Sequence, residues 1–163
     1  MSVTISVATE QDVEQIFRLQ YLCFQSEAAL YGNYRIDPLV QTLDSVRQEV
    51  ASDCVFVARL GEEVVGSVRG SVTEDGAASI GKLCVHPRLQ GHGIGARLLR
   101  AAEAALAGER GATKFRLHTG HRSEGNLRLY RRVGYETVGT SQGNDGVLMI
   151  VLEKPAGAYA QTA

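Results

Sequence analysis

Alternating apolar and polar positions in "VTISVAT" predict an N-terminal strand, and Thr9 with Asp12 three residues later reads as a helix start. That first helix is expected to reach about Phe24. A short second helix carries Leu43, Val46 and Val50 on one face. Between the two, "EAALYGNYRIDPL" holds Gly32, Asn33 and Pro38 and reads as a loop. In "CVFVARLGEEVVGSVRGSV" two apolar runs flank Gly61-Glu62, the pattern of a hairpin, and "AASIGKLCV" is a third strand of the same antiparallel group. Gly66 and Gly70 inside the second run predict bulges or close approaches. A helix over about 95–108, a strand "KFRLHT", a helix over about 124–132 and strands near "YETVG" and "GVLMIVLEK" complete the order β-α-α-β-β-β-α-β-α-β-β. The expected fold class is α/β (α+β): a mixed, mostly antiparallel sheet of about seven strands with about four helices.

A chain of 163 residues suits one core, so a single domain over 1–154 with a flexible tail over 155–163 is expected. The formal charge of −1 gives no global attraction to nucleic acid or membrane, and neither is expected as a partner. There is no basic lead followed by an apolar block and no apolar run long enough to span a bilayer, which reads as a cytoplasmic protein. Cys23, Cys54 and Cys84 are far apart in sequence among apolar neighbours, so they are expected as buried small hydrophobes, with neither a metal site nor a disulfide framework.

The chemistry concentrates in "VHPRLQGHGIGARLLRAAEAAL". A helix N-terminus offers unpaired N–H groups and a positive dipole end, and glycines at 91, 93 and 95 leave room for an anion to reach them. A nucleotide P-loop needs GxxxxGK[ST], and no Lys-Ser or Lys-Thr pair stands nearby. The dinucleotide pattern GxGxxG/A fits Gly91, Gly93 and Ala96, but those glycines do not open directly from a strand: His86 to Gln90, proline included, intervene.

"LCVHPRLQGHGIGARLL" resembles motif A of the GNAT superfamily, the Gcn5-related N-acetyltransferases, with Gln90, Gly93 and Gly95 on the Q/R-x-x-G-x-G/A signature; "LRLYRRVGYE" is similar to the family's LY-x-x-x-G-F/Y element. The resemblance spans most of the chain and implies acetyl-CoA as cofactor and a primary amine, of a small molecule or peptide, as acceptor. It implies that the backbone of Gly91, His92, Gly93, Ile94, Gly95 and Ala96 binds the pyrophosphate, with Gln90 beside it. It implies that Leu83, Cys84 and Val85, on a strand splayed from its neighbour, pair with pantetheine, and that the Val85 N–H polarises the thioester carbonyl. Such a strand edge has unpaired groups that the two pantetheine amides satisfy. Charge is segregated: residues 82–132 hold eleven bases and three acids, residues 10–49 seven acids and three bases. That division suits an anionic cofactor and a cationic acceptor, or solvated helix faces.

Acetyl transfer to an amine needs the neutral amine, oxyanion stabilisation and a proton for the departing thiolate. At pH 7 a lysine-like amine is neutral at a cost of about 4.6 kcal/mol, so a base is expected. The resemblance puts Tyr130 in the proton-donor position. Where many members carry asparagine seven residues earlier, this chain has Ser123, with Asn126 one turn on; either is a candidate hydrogen bond to pantetheine. Where some members place a glutamate, this chain has Ile80, so His118 and Glu27 are the candidate bases. His86, His92 and His121 read as loop residues without a pairing partner. Tyr31 and Tyr34, with the nearby acids, are candidates for an acceptor wall. A non-catalytic acyl-CoA sensor is the alternative function. The strand-rich C-terminus leaves both a monomer and a homodimer open.

Overall fold

The computed structural model describes residues 2–143, 146–157 and 159. Seven strands form one sheet: β1 (Val3–Val7), β2 (Cys54–Leu60), β3 (Glu63–Val72), β4 (Ala77–Val85), β5 (Lys114–Gly120), β6 (Glu136–Gln142) and β7 (Leu148–Pro155), in the order β1-β2-β3-β4-β5-β7-β6. Among the described residues, only the β4–β5 pair is parallel. The helices are α1 (Val13–Cys23), α2 (Gln25–Tyr31), α3 (Asp37–Val40), α4 (Leu43–Ser52), α5 (Ile94–Gly108) and α6 (Glu124–Arg132).

Side-chain alternation along β2 explains why the sheet is covered on both faces. Val55 and Val57 pack with Val13, Ile16 and Leu19 of α1 and Val46 of α4, while Cys54 and Ala58 join Leu98, Leu99, Ala102 and Leu106 of α5. The two glycines of β3 are close approaches. A Cβ on Gly66 would stand 2.9 Å from Leu98 Cδ1, and one on Gly70 would stand 2.6 Å from Leu106 Cδ1, so α5 lies on bare backbone. Thr9 starts the first helix as expected, its N–H donating to Asp12 Oδ2 at 2.8 Å.

Two expectations are corrected. "EAALYGNYRIDPL" is not a loop throughout: it is helical at Gln25–Tyr31 and Asp37–Val40, with Gly32 at φ 62 ending α2 as a left-handed cap. The Gly and Pro punctuation marks the break between two short helices rather than an irregular segment. The described residues past 154 are also packed. Ala156 is buried, its N–H donates to Thr113 O, and Tyr159 Oη donates to Glu103 Oε1 at 3.1 Å. Glu103 is fully buried and also accepts from Tyr135 Oη and Lys154 Nζ, so its carboxylate draws this end of the chain inward. Residues 158 and 160–163 of the expected tail lie outside the described residues.

Candidate active site

The sheet opens between β4 and β5. Their register runs only from Ala77↔Lys114 to Ile80↔Leu117, and beyond Ile80 the two strands part. The parting coincides with a bulge on the other edge of β4. Between Ser67↔Cys84 and Arg69↔Gly81 the β4 side has one residue more than β3, and Lys82 sits there at φ 50, a left-handed conformation that costs a non-glycine residue about 1–2 kcal/mol. The side chain holds it in place: Lys82 Nζ donates to Asp37 Oδ2 at 2.8 Å, Gln41 Oε1 at 2.7 Å and Glu49 Oε1 at 3.1 Å. Beneath it Arg69, buried, bonds Gln20, Gln41 and Glu49.

Past the bulge, β4 presents free backbone to the gap. His86 N–H bonds Val65 O on β3, which makes residues 65 and 86 a hydrogen-bonded pair; Gly66↔Val85 is therefore a non-hydrogen-bonded pair. The N–H and C=O of Val85 consequently face away from β3, into the opening. Its carbonyl accepts from Gln90 Nε2 at 3.2 Å and Cys23 Sγ at 3.4 Å. Cys23 is half-buried and its thiol meets that of Cys84, which this contact, and then burial, push well above the ordinary thiol value. The cysteines separated in sequence thus include a spatial pair.

The glycine stretch turns through a short 3-10 turn at Pro87–Leu89 into α5. Gly93 is the N-cap at φ 78, and the first N–H bonded within the chain is that of Arg97, to Gly93 O. Among the described residues, no N–H from Gly91 to Ala96 donates to another protein group. Six backbone donors around the start of α5 are thus left without protein partners, a donor set that fits a diphosphate. They border a cleft of about 770 Å³, lined by Leu83, Cys84, Val85, Gln90, Gly91, Gly93, Ile94, Gly95 and Ala96 on one side and Ser123, Asn126, Leu129 and Arg132 on the other. His92 contributes no lining side chain. Arg122 and Arg132 at this cleft were not singled out from the sequence; for Arg132 the spacing Asn126, Leu129, Arg132 along one helix is the signal, whereas Arg122 lies before the helix and leaves none.

A second chamber of about 220 Å³ shares Phe24, Glu27, Leu83 and Asn126 with the cleft. Its further lining includes Tyr31, Ile36, Asp37, Ile80, Lys82, His118, Thr119, Tyr130, Val147 and Met149. All three expected catalytic residues, Tyr130, His118 and Glu27, line it, although Glu27 stands on a helix and not on a loop. Tyr34 does not line it and is 58% exposed. Tyr130 is buried, and its phenol is pushed above the ordinary tyrosine value by burial and then by the negative charge of Glu27. Among the described residues its hydroxyl makes no hydrogen bond, and the residue lines the chamber. Burial, with the Arg116 guanidinium second, pulls His118 below the ordinary imidazole value. Ser123 and Asn126 part company. Ser123 Oγ is engaged by Tyr31 Oη at 2.7 Å and Glu27 Oε2 at 2.9 Å, whereas Asn126 has one long contact, Nδ2 to Thr119 Oγ1 at 3.4 Å, and faces both cavities.

A helix start with unpaired N–H groups borders a cleft that shares walls with a chamber holding a buried phenol. The chain belongs to the GNAT acetyltransferase family, whose model matches residues 13–135. Similar solved structures include the PaiA N-acetyltransferase of Thermoplasma acidophilum in complex with coenzyme A, at TM-score 0.79 and 16% identity over 95% of this chain and 99% of that one. YncA of Salmonella typhimurium with its cofactor acetyl-CoA superposes at TM-score 0.76 and 15% identity over 96% of this chain and 95% of that one. The IAA acetyltransferase of Bacillus cereus is 23% identical over 94% of this chain and 99% of that one, at TM-score 0.68. No curated protein sequence gives a significant match. Among the described residues no helix is long and apolar enough to cross a membrane.

Proposed function

We propose that the protein is an acetyl-CoA-dependent N-acetyltransferase acting on a primary amine of a small molecule or peptide. The observation that carries this reading is the run of unpaired N–H groups from Gly91 to Ala96 at the mouth of a cleft that shares walls with the Tyr130 chamber. The fit to the cofactor rests on donor chemistry: six backbone donors and a helix dipole for the diphosphate, Arg132 beside them, and the open edge of Leu83–Val85 for the pantetheine amides. Bound there, acetyl-CoA supplies an activated acetyl group.

The residues divide the remaining work. Val85 N–H, turned into the gap, is placed to donate to a carbonyl oxygen where charge develops. Tyr130, a phenol protonated at neutral pH even at its ordinary value and held further that way by burial, has a hydroxyl available to deliver its proton to a thiolate. Glu27 and His118 face the amine side, and His118, with its lowered pKa, is neutral at pH 7 and able to accept a proton. Asn126 is the candidate pantetheine contact, since Ser123 is already engaged.

A coupled assay for free thiol, run with acetyl-CoA and a panel of primary amines, tests the reading. Amine-dependent thiol release is the expected result; tight acetyl-CoA binding without release from any amine would make the protein a sensor.

A further inference from the structure

Ser123 stands at the N-cap of α6, the position where a serine hydroxyl ordinarily accepts from its own helix's second or third N–H. Here it makes no such bond. Its Oγ instead lies 2.9 Å from Glu27 Oε2 and 2.7 Å from Tyr31 Oη, both on α2, across the mouth between the two cavities. A fourth group sets the direction of this chain. Arg122 N–H, which can only donate, points at Tyr31 Oη at 3.0 Å. With that lone pair used, the Tyr31 hydroxyl donates to Ser123, and the Ser123 hydroxyl donates to Glu27. Every donor then has an acceptor, and the series ends on a carboxylate. The reverse order would leave the Tyr31 proton without a partner. Gly120 makes the arrangement fit, because any side chain there would occupy the place of the Tyr31 hydroxyl.

The chamber's other charged side chains are paired with one another or with neighbours. Lys82 is engaged by Asp37, Gln41 and Glu49, so Asp37 already faces a cation. Glu27 has no salt-bridge partner among the described residues, and its one hydrogen bond, from Ser123, is accepted through Oε2. It is the chamber's uncompensated negative charge.

Resting on the acetyltransferase reading above, we propose that Glu27 is the carboxylate that receives the acceptor's amine, and that Ser123 and Tyr31 are positioning residues that aim it. The acceptor class this selects is an amine with a single cation on a small, largely apolar body. The chamber holds about 220 Å³, one uncompensated charge, and Phe24, Ile36, Ile80, Val147 and Met149 around it. A polyamine's second ammonium finds no unpaired carboxylate there.

The test compares wild type, Ser123→Ala, Ser123→Thr, Tyr31→Phe, Glu27→Gln and the Ser123→Ala/Glu27→Gln double variant by thiol release. Acceptors are n-butylamine, phenethylamine, glycinamide and spermidine, and acetyl-CoA binding is followed by calorimetry. Expected are faster turnover of n-butylamine or phenethylamine than of spermidine, and a rise of about tenfold in amine KM for Ser123→Ala with acetyl-CoA affinity within about twofold. Tyr31→Phe should move amine KM the same way by less, Ser123→Thr should restore it, and Ser123→Ala should add nothing in the Glu27→Gln background. A purely structural serine would instead weaken acetyl-CoA binding, or act equally with and without the Glu27 charge; either result overturns the proposal. So does a preference for spermidine. Wild-type protein that binds acetyl-CoA but releases thiol with none of these amines overturns the enzyme reading and this inference together.

Discussion

Gly120 and Tyr31 are matched: a Cβ on Gly120 would overlap the Oη and Cζ atoms of the Tyr31 ring outright. The last residue of β5 therefore decides where the second helix rests. Gly120→Ala should push the tyrosine out of contact with Ser123 and Arg122, raising the KM for the amine by about tenfold, or about 1.4 kcal/mol. The dissociation constant for acetyl-CoA should change little, because none of the Gly91–Ala96 donors touches Tyr31. Steady-state thiol release and calorimetry on one preparation separate the two effects.

Removal of the phenol is the direct test of the proton donor. Tyr130→Phe should lower turnover at least about tenfold and leave cofactor binding nearly intact, as general acid catalysis contributes factors of about 10² to 10⁴. Burial holds the Tyr130 proton above the usual tyrosine range, so its own ionisation should cause no fall in kcat up to about pH 10. A basic limb with a lower midpoint that vanishes in Tyr130→Phe would contradict this role.

Gly93 tests the cradle without touching a side chain. Its φ of 78 suits glycine, and a Cβ there would meet no protein atom. Gly93→Ala should cost about 1–2 kcal/mol of backbone strain. Where the loop relaxes to relieve it, the six donors lose their common aim. Thermal melts and acetyl-CoA titration should both weaken; a stable variant with unchanged affinity would mean that the loop does not hold the cofactor.

The Asp12–Arg59 pair sets a pH window for stability. Arg59 donates to both carboxylate oxygens, at 2.7 and 2.6 Å, and holds Asp12 below its ordinary value of 3.8. A carboxyl whose folded pKa is depressed contributes stability that is present above the unfolded value and lost as pH falls through the folded one. Asp12→Asn should therefore destabilise the fold by about 1–3 kcal/mol at pH 7. The gap to wild type should stay open down to about pH 4 and close below it, as read from urea midpoints across pH.

What the sequence made legible follows from which interactions are local. Strand alternation, the Thr9–Asp12 cap and the Gly61-Glu62 hairpin are written within a few residues of each other, and β2, β3 and α6 stand where their patterns put them. The glycines at 66 and 70 were readable as close approaches for the same reason, although only the fold names Leu98 and Leu106 as the groups approaching. The bulge at Lys82 left no local trace. It depends on Asp37, Gln41 and Glu49, more than thirty residues away in sequence. The engagement of Ser123 was equally hidden, because a serine before a helix reads as a cap and its partners Glu27 and Tyr31 lie on an element that turn residues disguised as a loop. The Cys23–Cys84 contact and the anchoring of Tyr159 on Glu103 are further pairings made only by folding.

A sheet usually acts as a partition, but the parting of β4 from β5 beyond Ile80 turns this one into a passage. Reactants that enter a passage from its two ends meet in the middle without either having to leave first. For the proposed acetyl transfer, double-reciprocal plots for the two substrates should accordingly intersect rather than run parallel.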